Sequence, residues 1–232
     1  MSSGTRDFLI DTLLNGIRSV RREPACTGID LTGSECRASG ICVLRNRDAL
    51  LSLARTDDEI FRAVDAAGIG LVSIDSSLSL PAGRCCAEDT CECRKYGIMR
   101  ECERVLRKRG IRVYPPLIRS MQNLTLRGIR LAGALREQGY EVIESYPGAT
   151  QDLLHIPRKK TDLSLLRSGL KGTGIHMPAG GEQATHDELD ALTSALAGYF
   201  YLAGWYEAIG NTAEGYLILP DMGRVSRNQK KP

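Results

Sequence analysis

The chain predicts an α/β protein built on a mixed sheet, and three observations carry that reading. Short β-branched, apolar stretches alternate with segments of helical periodicity. The first third reads as a hairpin, a third strand, a capped helix and a further strand. Three strings, GIDLTGS at 28–34, VSIDSSLSLP at 72–81 and THDELDA at 185–191, each place Asp where a hydrophobic element gives out or begins.

Residues 6–23 form an amphipathic helix pattern, with Phe8, Leu9, Ile10, Leu13, Leu14, Ile17 and Val20 on one side and Pro24 ending it. Such a helix packs on its own domain or forms a homodimer seam. Thr27-Gly28-Ile29 reads as a strand running into Asp30, and Gly33 permits the turn toward the apolar run Gly40–Leu44. Leu50–Ala54 reads as the third strand. Thr56 then caps a helix through Ile60, Phe61 and Val64 that Gly68 ends. Gly70–Ile74 has the continuous apolar character of a strand buried on both faces, and it ends at Asp75. The helix before it supplies a parallel crossover. Pro115 and Pro116 mark a linker, Leu117–Leu135 a helix, and Tyr140–Ile143 a strand ending at Glu144.

In the third string Thr185 and Glu188 make a capping box. The helix it opens runs through Leu189, Leu192, Leu196 and Tyr199, and Trp205 and Tyr206 are grouped with its aromatics. Asp187 and Asp190 project from its first turn on neighbouring faces. Beyond Pro220 the residues read as a flexible basic tail, 221–232.

Carboxylates gathered at element ends repel one another and raise each other's pKa, and a divalent cation removes that repulsion. Mg²⁺ and Mn²⁺ take oxygen ligands, and two such ions roughly 4 Å apart activate a water and stabilise the leaving oxygen in phosphodiester hydrolysis. Singly, each Asp has a plainer role. Asp30 suits an Asx-turn, and Asp187 complements a helix dipole. Asp75 after an apolar strand is harder to account for without a ligand, because Asp is depleted in strands. Together, Asp30, Asp75, Asp187 and Asp190 make a candidate catalytic set. Asp30 would bridge two ions, Asp75 and Asp190 would complete one coordination sphere each, and Asp187 would assist. His186 is a helix-start residue that caps, packs or moves a proton.

Several strings in order, GIDLTGS, IDSSLSLP, GYEVIESYPGATQ at 139–151, HDELDALTSALAGY at 186–199 and EGYLILP at 214–220, make the chain resemble the RNase H-like nucleases of domain-of-unknown-function family 429. The resemblance implies an RNase H-like domain over 25–220. Its central mixed sheet would have five strands, three antiparallel and then two parallel, with helices on both faces. It also implies a carboxylate arrangement similar to that of RuvC-type resolvases, with Asp30 on the first strand, Asp75 on the fourth and Asp187 with Asp190 on the last helix. Glu144, matching the family's Glu-x-x-Pro strand end, would be a fifth ligand. The expected activity is divalent-metal-dependent nucleic-acid hydrolysis, on DNA or RNA. A phosphotransferase of the actin and sugar-kinase group, reading Asp30–Ser34 as a phosphate cradle, and a non-catalytic nucleic-acid- or metal-binding module are the alternatives.

With 232 residues, 42% hydrophobic and 25% charged, the chain has the composition of a compact enzyme. No apolar run approaches the roughly 20 residues that span a bilayer, and the N-terminus lacks a signal-peptide pattern, so the expectation is a cytoplasmic protein without a membrane partner. Net charge is +3, but seven basic residues stand against two acidic ones between 94 and 109. Arg94, Lys95, Arg100 and Arg104 are the candidate phosphate contacts there, and Lys159 in the basic group Arg158-Lys159-Lys160 is another. A solvated, ion-paired helix face is the plainer reading.

Of eight cysteines, five fall between 85 and 102. In a reducing compartment such spacing points to metal before disulfides. Cys86, Cys91, Cys93 and Cys102 are the expected ligands for zinc or an iron–sulfur cluster, with Cys85 as a substitute for Cys86. Disulfides or no metal at all are the alternatives. Residues 82–110 would then be a Cys-rich, basic insertion after the fourth strand, pinned beside the carboxylates as a clamp on the phosphate backbone.

Overall fold

The structure is a computed structural model that describes residues 9–158, 162–178 and 183–229. Strands β1 (Ala25–Asp30), β2 (Ser39–Arg45), β3 (Asp48–Ala54), β4 (Leu71–Asp75), β5 (Glu141–Ser145), β6 (Tyr206–Asn211) and β7 (Gly215–Pro220) form one seven-stranded mixed sheet in the order β3-β2-β1-β4-β5-β7-β6. β1, β2 and β3 are antiparallel neighbours, β1, β4, β5 and β7 are parallel, and β6 returns antiparallel to β7. The expected five strands are all present, but two more extend the sheet. Asn211–Gly215 turns β6 back onto β7, and Trp205 and Tyr206, expected with the last helix, instead lead into this hairpin because α7 ends at Leu202.

Helices cover both faces. α1 (Leu9–Ser19), α5 (Pro147–Leu153), α6 (Leu163–Lys171), α7 (His186–Leu202) and α8 (Met222–Gln229) accompany α2 (Asp57–Ala67), α3 (Glu101–Lys108) and α4 (Gln122–Glu137). Cys26, Cys42, Leu44, Leu71 and Ile143 pack with α1, α6 and α7 on one face; Ile29, Ile41, Val72 and Ile74 pack with α2 and α4 on the other. This alternation along each strand is the two-residue period of a sheet buried on both sides. The capping boxes expected at Thr56–Glu59 and Thr185–Glu188 are formed, and Gly68 ends α2.

α7 lies unusually close to β1 and β2. A Cβ on Gly28 would stand 2.0 Å from the Ala191 carbonyl oxygen, and one on Gly40 would stand 2.0 Å from that of Asp187. Only glycine at both positions lets the helix settle onto the sheet, and this carries its first turns to the C-terminal end of β1. The residues after Pro220 are not a flexible tail up to 229: α8 folds back and buries Val225 in the α7-side core. Lys159, Lys160, Lys230, Lys231 and Phe8 lie outside the described residues.

Candidate carboxylate centre and thiol cluster

Asp30 and Asp75 end adjacent parallel strands and are register partners. Gly28, two residues before Asp30, faces α7, so by alternation Asp30 and its partner Asp75 leave the sheet on the α7 face. From that helix comes Asp190. Asp30 and Asp190 are 8% and 4% exposed, Asp75 is half-buried and Asp187 lies partly exposed one turn earlier. Gln151 of α5 donates from Nε2 to Asp190 Oδ1 at 2.8 Å and to Thr193 Oγ1 at 3.2 Å, fixing the orientation of the Asp190 carboxylate. Near Asp75, burial pushes the Tyr146 phenol above its usual range and the Asp75 charge adds to that shift, while Arg158 opposes it. Arg158 also pairs with Asp152 at 2.5 Å. His186 is exposed at the helix start.

Glu144 is not part of this group. It pairs with Ile74, whose side chain packs on the α4 face, whereas Ser145 is the register partner of Asp75. A one-residue offset in a strand reverses the face. Glu144 therefore points away from Asp30 and Asp75, and its two oxygens accept from Arg100 Nη2 at 2.5 Å, Arg100 Nη1 at 2.8 Å and the Leu78 backbone N–H at 2.9 Å. The fifth-ligand expectation is corrected accordingly.

The same pairing corrects the expected role of Arg100. It is 1% exposed, its guanidinium also donates to Glu103, Ser77 and Ser79, and it stands beside Cys102 and Glu103 in a closed polar cluster. The two carboxylates hold its charge against the opposing effect of burial. It has no face left for phosphate. Arg104 is half-exposed but pairs with Glu101 at 3.2 Å and reaches Glu214 at 3.7 Å. Arg94 and Lys95 are exposed, the first 3.9 Å from Asp89 and the second over the Tyr96 ring.

Cys85, Cys86, Cys91 and Cys93 bring their sulfurs within 4.8 Å of one another, a group that could hold a metal ion. Cys85 to Cys91 and Cys86 to Cys93 both measure 3.7 Å. Cys102 is instead buried beside Leu106 in the core under α3, so the fourth thiol is Cys85. Mutual hydrogen bonding with Cys93, Cys91 and Cys86 pushes the Cys85 thiol up to about 12. Burial opposes ionisation of Cys93, yet the backbone N–H of Cys85 and neighbouring thiols bring it down to about 6. The cluster lies after β4, where the Cys-rich insertion was expected.

No protein-family model, curated protein or solved structure matches the chain.

Two further residues organise this end of the sheet without having stood out in the sequence. Arg127 of α4 is buried and donates to Asp57 at 2.7 Å, the Thr32 carbonyl at 2.9 Å and the Arg55 carbonyl at 3.1 Å, which locks the turn after Asp30 to the start of α2. Glu214, in the β6–β7 turn, accepts the Ala82 N–H on Oε1 at 2.8 Å and the Glu101 N–H on Oε2 at 2.7 Å. A charged residue in a strand or turn carries no local mark of the distant backbone it will bind. Where β5 and β7 part after their single pairing, Glu144–Leu217, a cleft of about 480 Å³ opens between Arg136, Tyr206 and Tyr216, away from Asp30, Asp75 and Asp190. Among the described residues no helix is long and apolar enough to cross a membrane.

Proposed function

We propose that the chain is a divalent-metal-dependent nuclease that hydrolyses phosphodiester bonds at Asp30, Asp75 and Asp190, with Asp187 assisting, on an RNase H-like sheet. The observation that carries the reading is the register pairing of Asp30 with Asp75 on one face, directly under the helix that supplies Asp190. Neighbouring strands stand about 4.8 Å apart, a spacing that lets two carboxylates share an ion. The order β3-β2-β1-β4-β5 within the sheet supports the RNase H-like reading.

When bound, such ions would activate a water and stabilise the leaving oxygen. The residues of the chain hold the carboxylates in place: Gln151 orients Asp190, and Arg127 secures the turn that follows Asp30. Nucleic acid would reach the site from the α7 side, where Arg158, stacked on Tyr146 beside Asp75, would meet its phosphates. Arg100 and Glu144, serving the opposite face, have no part in the reaction. The test is Mn²⁺-dependent cleavage of single-stranded, duplex, hybrid and branched substrates by the wild-type chain and by Asp30→Asn. Cleavage that persists in Asp30→Asn overturns the assignment, and nucleotide turnover without cleavage favours the phosphotransferase reading.

A further inference from the structure

We infer that Cys85, Cys86, Cys91 and Cys93 hold a single zinc ion in a closed tetrahedral thiolate shell that fastens the tip of the segment between β4 and α3. The inference is independent of whether the carboxylates bind Mg²⁺ or Mn²⁺.

The sulfur geometry decides the kind of site. A tetrahedron with zinc–sulfur bonds of about 2.3 Å has sulfur–sulfur edges of about 3.75 Å. The two pairs across the cluster measure 3.7 Å each, and all four sulfurs lie within 4.8 Å of one another. A disulfide bond is about 2.05 Å long, so neither pair is joined. An iron–sulfur cubane places each thiolate on a different iron and spreads the four sulfurs wider than this. One small ion at the centre fits.

Chain geometry agrees. Cys85 and Cys86 precede the reversal at 87–90, and Cys91 and Cys93 follow it at the start of the 3-10 turn Glu92–Tyr96, so two ligands enter from each side. Four thiolates around Zn²⁺ leave a net charge of −2, which calls for nearby positive charge and donors. Arg84, immediately before the first ligand, is 7% exposed; its Nε donates to the Cys86 carbonyl at 3.1 Å and its Nη2 to that of Glu88 at 3.2 Å. Its Nη1 is buried and without a hydrogen-bond partner among the described residues. A buried guanidinium bound to the backbone of the loop that carries these thiols, with one nitrogen left over, is costly if that loop is neutral and favourable if it carries a dianionic shell.

The ion also answers a structural need. From Ala82 to Glu101 the segment contains only one short 3-10 turn and buries little apolar surface beyond Ala87 and Cys93. Glu214 ties its two ends together by accepting the Ala82 and Glu101 N–H groups. Zinc would close the other end of the same loop, and binding free energy would there serve as folding free energy. With all four positions filled by sulfur, no place remains for water or substrate, so the site is structural. Binding displaces the thiol protons into solvent, and nothing is oxidised.

The experiment is elemental analysis of the full-length chain purified under reducing conditions, with cobalt replacement of the bound ion. One zinc per chain and the visible bands of tetrahedral thiolate-bound Co²⁺ are expected. Cys85→Ser and Cys93→Ser should each lose the ion, whereas Cys102→Ser and Cys36→Ser should each retain one per chain. The cobalt spectrum of the wild-type chain decides the matter even if a ligand variant fails to fold. Iron with acid-labile sulfide, a metal-free reduced chain, two disulfides in the intact mass, or an ion that survives Cys85→Ser but not Cys102→Ser would each overturn the inference.

Discussion

Asp30 and Asp75 are register partners across β1 and β4, so their carboxylates leave the same face of the sheet at the ends of two parallel strands. The sheet places them; α7 carries Asp190 over the same face, and the glycines at 28 and 40 determine how near that helix comes. Each of these dependences gives an expected outcome.

Gln151→Ala removes the donor that orients Asp190 and leaves the Asp190 carboxylate in place. Groups that position a metal ligand typically change metal affinity by about 10–100-fold. A weaker Mn²⁺ affinity by that factor in calorimetry, with thermal stability of the metal-free chain little altered, is expected. Unchanged affinity would separate Asp190 from the metal.

Gly40→Ala forces a methyl group into the Asp187 carbonyl oxygen, and Gly28→Ala does the same at Ala191. Overpacking of a tight contact costs about 1–3 kcal/mol. Both variants should unfold at lower urea concentration, and any cleavage activity should fall because α7 is displaced from the sheet. Denaturant midpoints at wild-type values would show that the helix is not seated as closely as the structure has it.

Arg100→Ala leaves Glu103 and Glu144 buried without their cation. Removing one member of a buried ion pair costs about 3–5 kcal/mol, read as a lower midpoint in urea. Because Arg100 has no exposed surface to offer phosphate, conservative Arg100→Lys should leave the salt dependence of nucleic-acid binding as it was. Loss of the exposed Lys95 charge, if it meets a phosphate, should reduce that slope by about 1.

Glu214 supplies a pH signature. Burial raises its carboxyl, but the Ala82 and Glu101 N–H groups and Asn211 outweigh that and hold it below its ordinary value of 4.5. A carboxyl depressed on folding adds stability above its unfolded pKa and gives it up as pH falls through the lower folded value. Acid unfolding of the wild-type chain should therefore show a component below about pH 4.5 that Glu214→Gln lacks. Identical acid limbs for the two proteins would remove Glu214 from the account.

Much of this architecture is legible in the sequence because local rules dominate there. The strand end at Asp75, the capping boxes at Thr56 and Thr185 and the helix through Leu189 and Leu196 all follow from periodicity and caps. What local pattern does not contain is register. Whether Ser145 or Glu144 stands opposite Asp75 decides which face Glu144 serves, and a shift of one residue reverses it. The β6–β7 hairpin is short and contiguous with a helical aromatic cluster, which hides it. The choice between Cys85 and Cys102 had a readable cue: Cys102 and Leu106 are four residues apart on one buried helix face, the mark of a core thiol. Arg100 stood in a basic run whose sum of charge says nothing of which side chains turn inward.

The most direct test of the carboxylate centre is Mn²⁺ titration of the full-length chain followed calorimetrically, with cleavage of a mixed nucleic-acid panel measured on the same preparations. Mn²⁺ is expected to bind the wild-type protein, with cleavage rising in step, and Asp30→Asn and Asp75→Asn are expected to lose both while remaining folded. Equal Mn²⁺ binding by wild type and both variants, or cleavage that survives them, would contradict it.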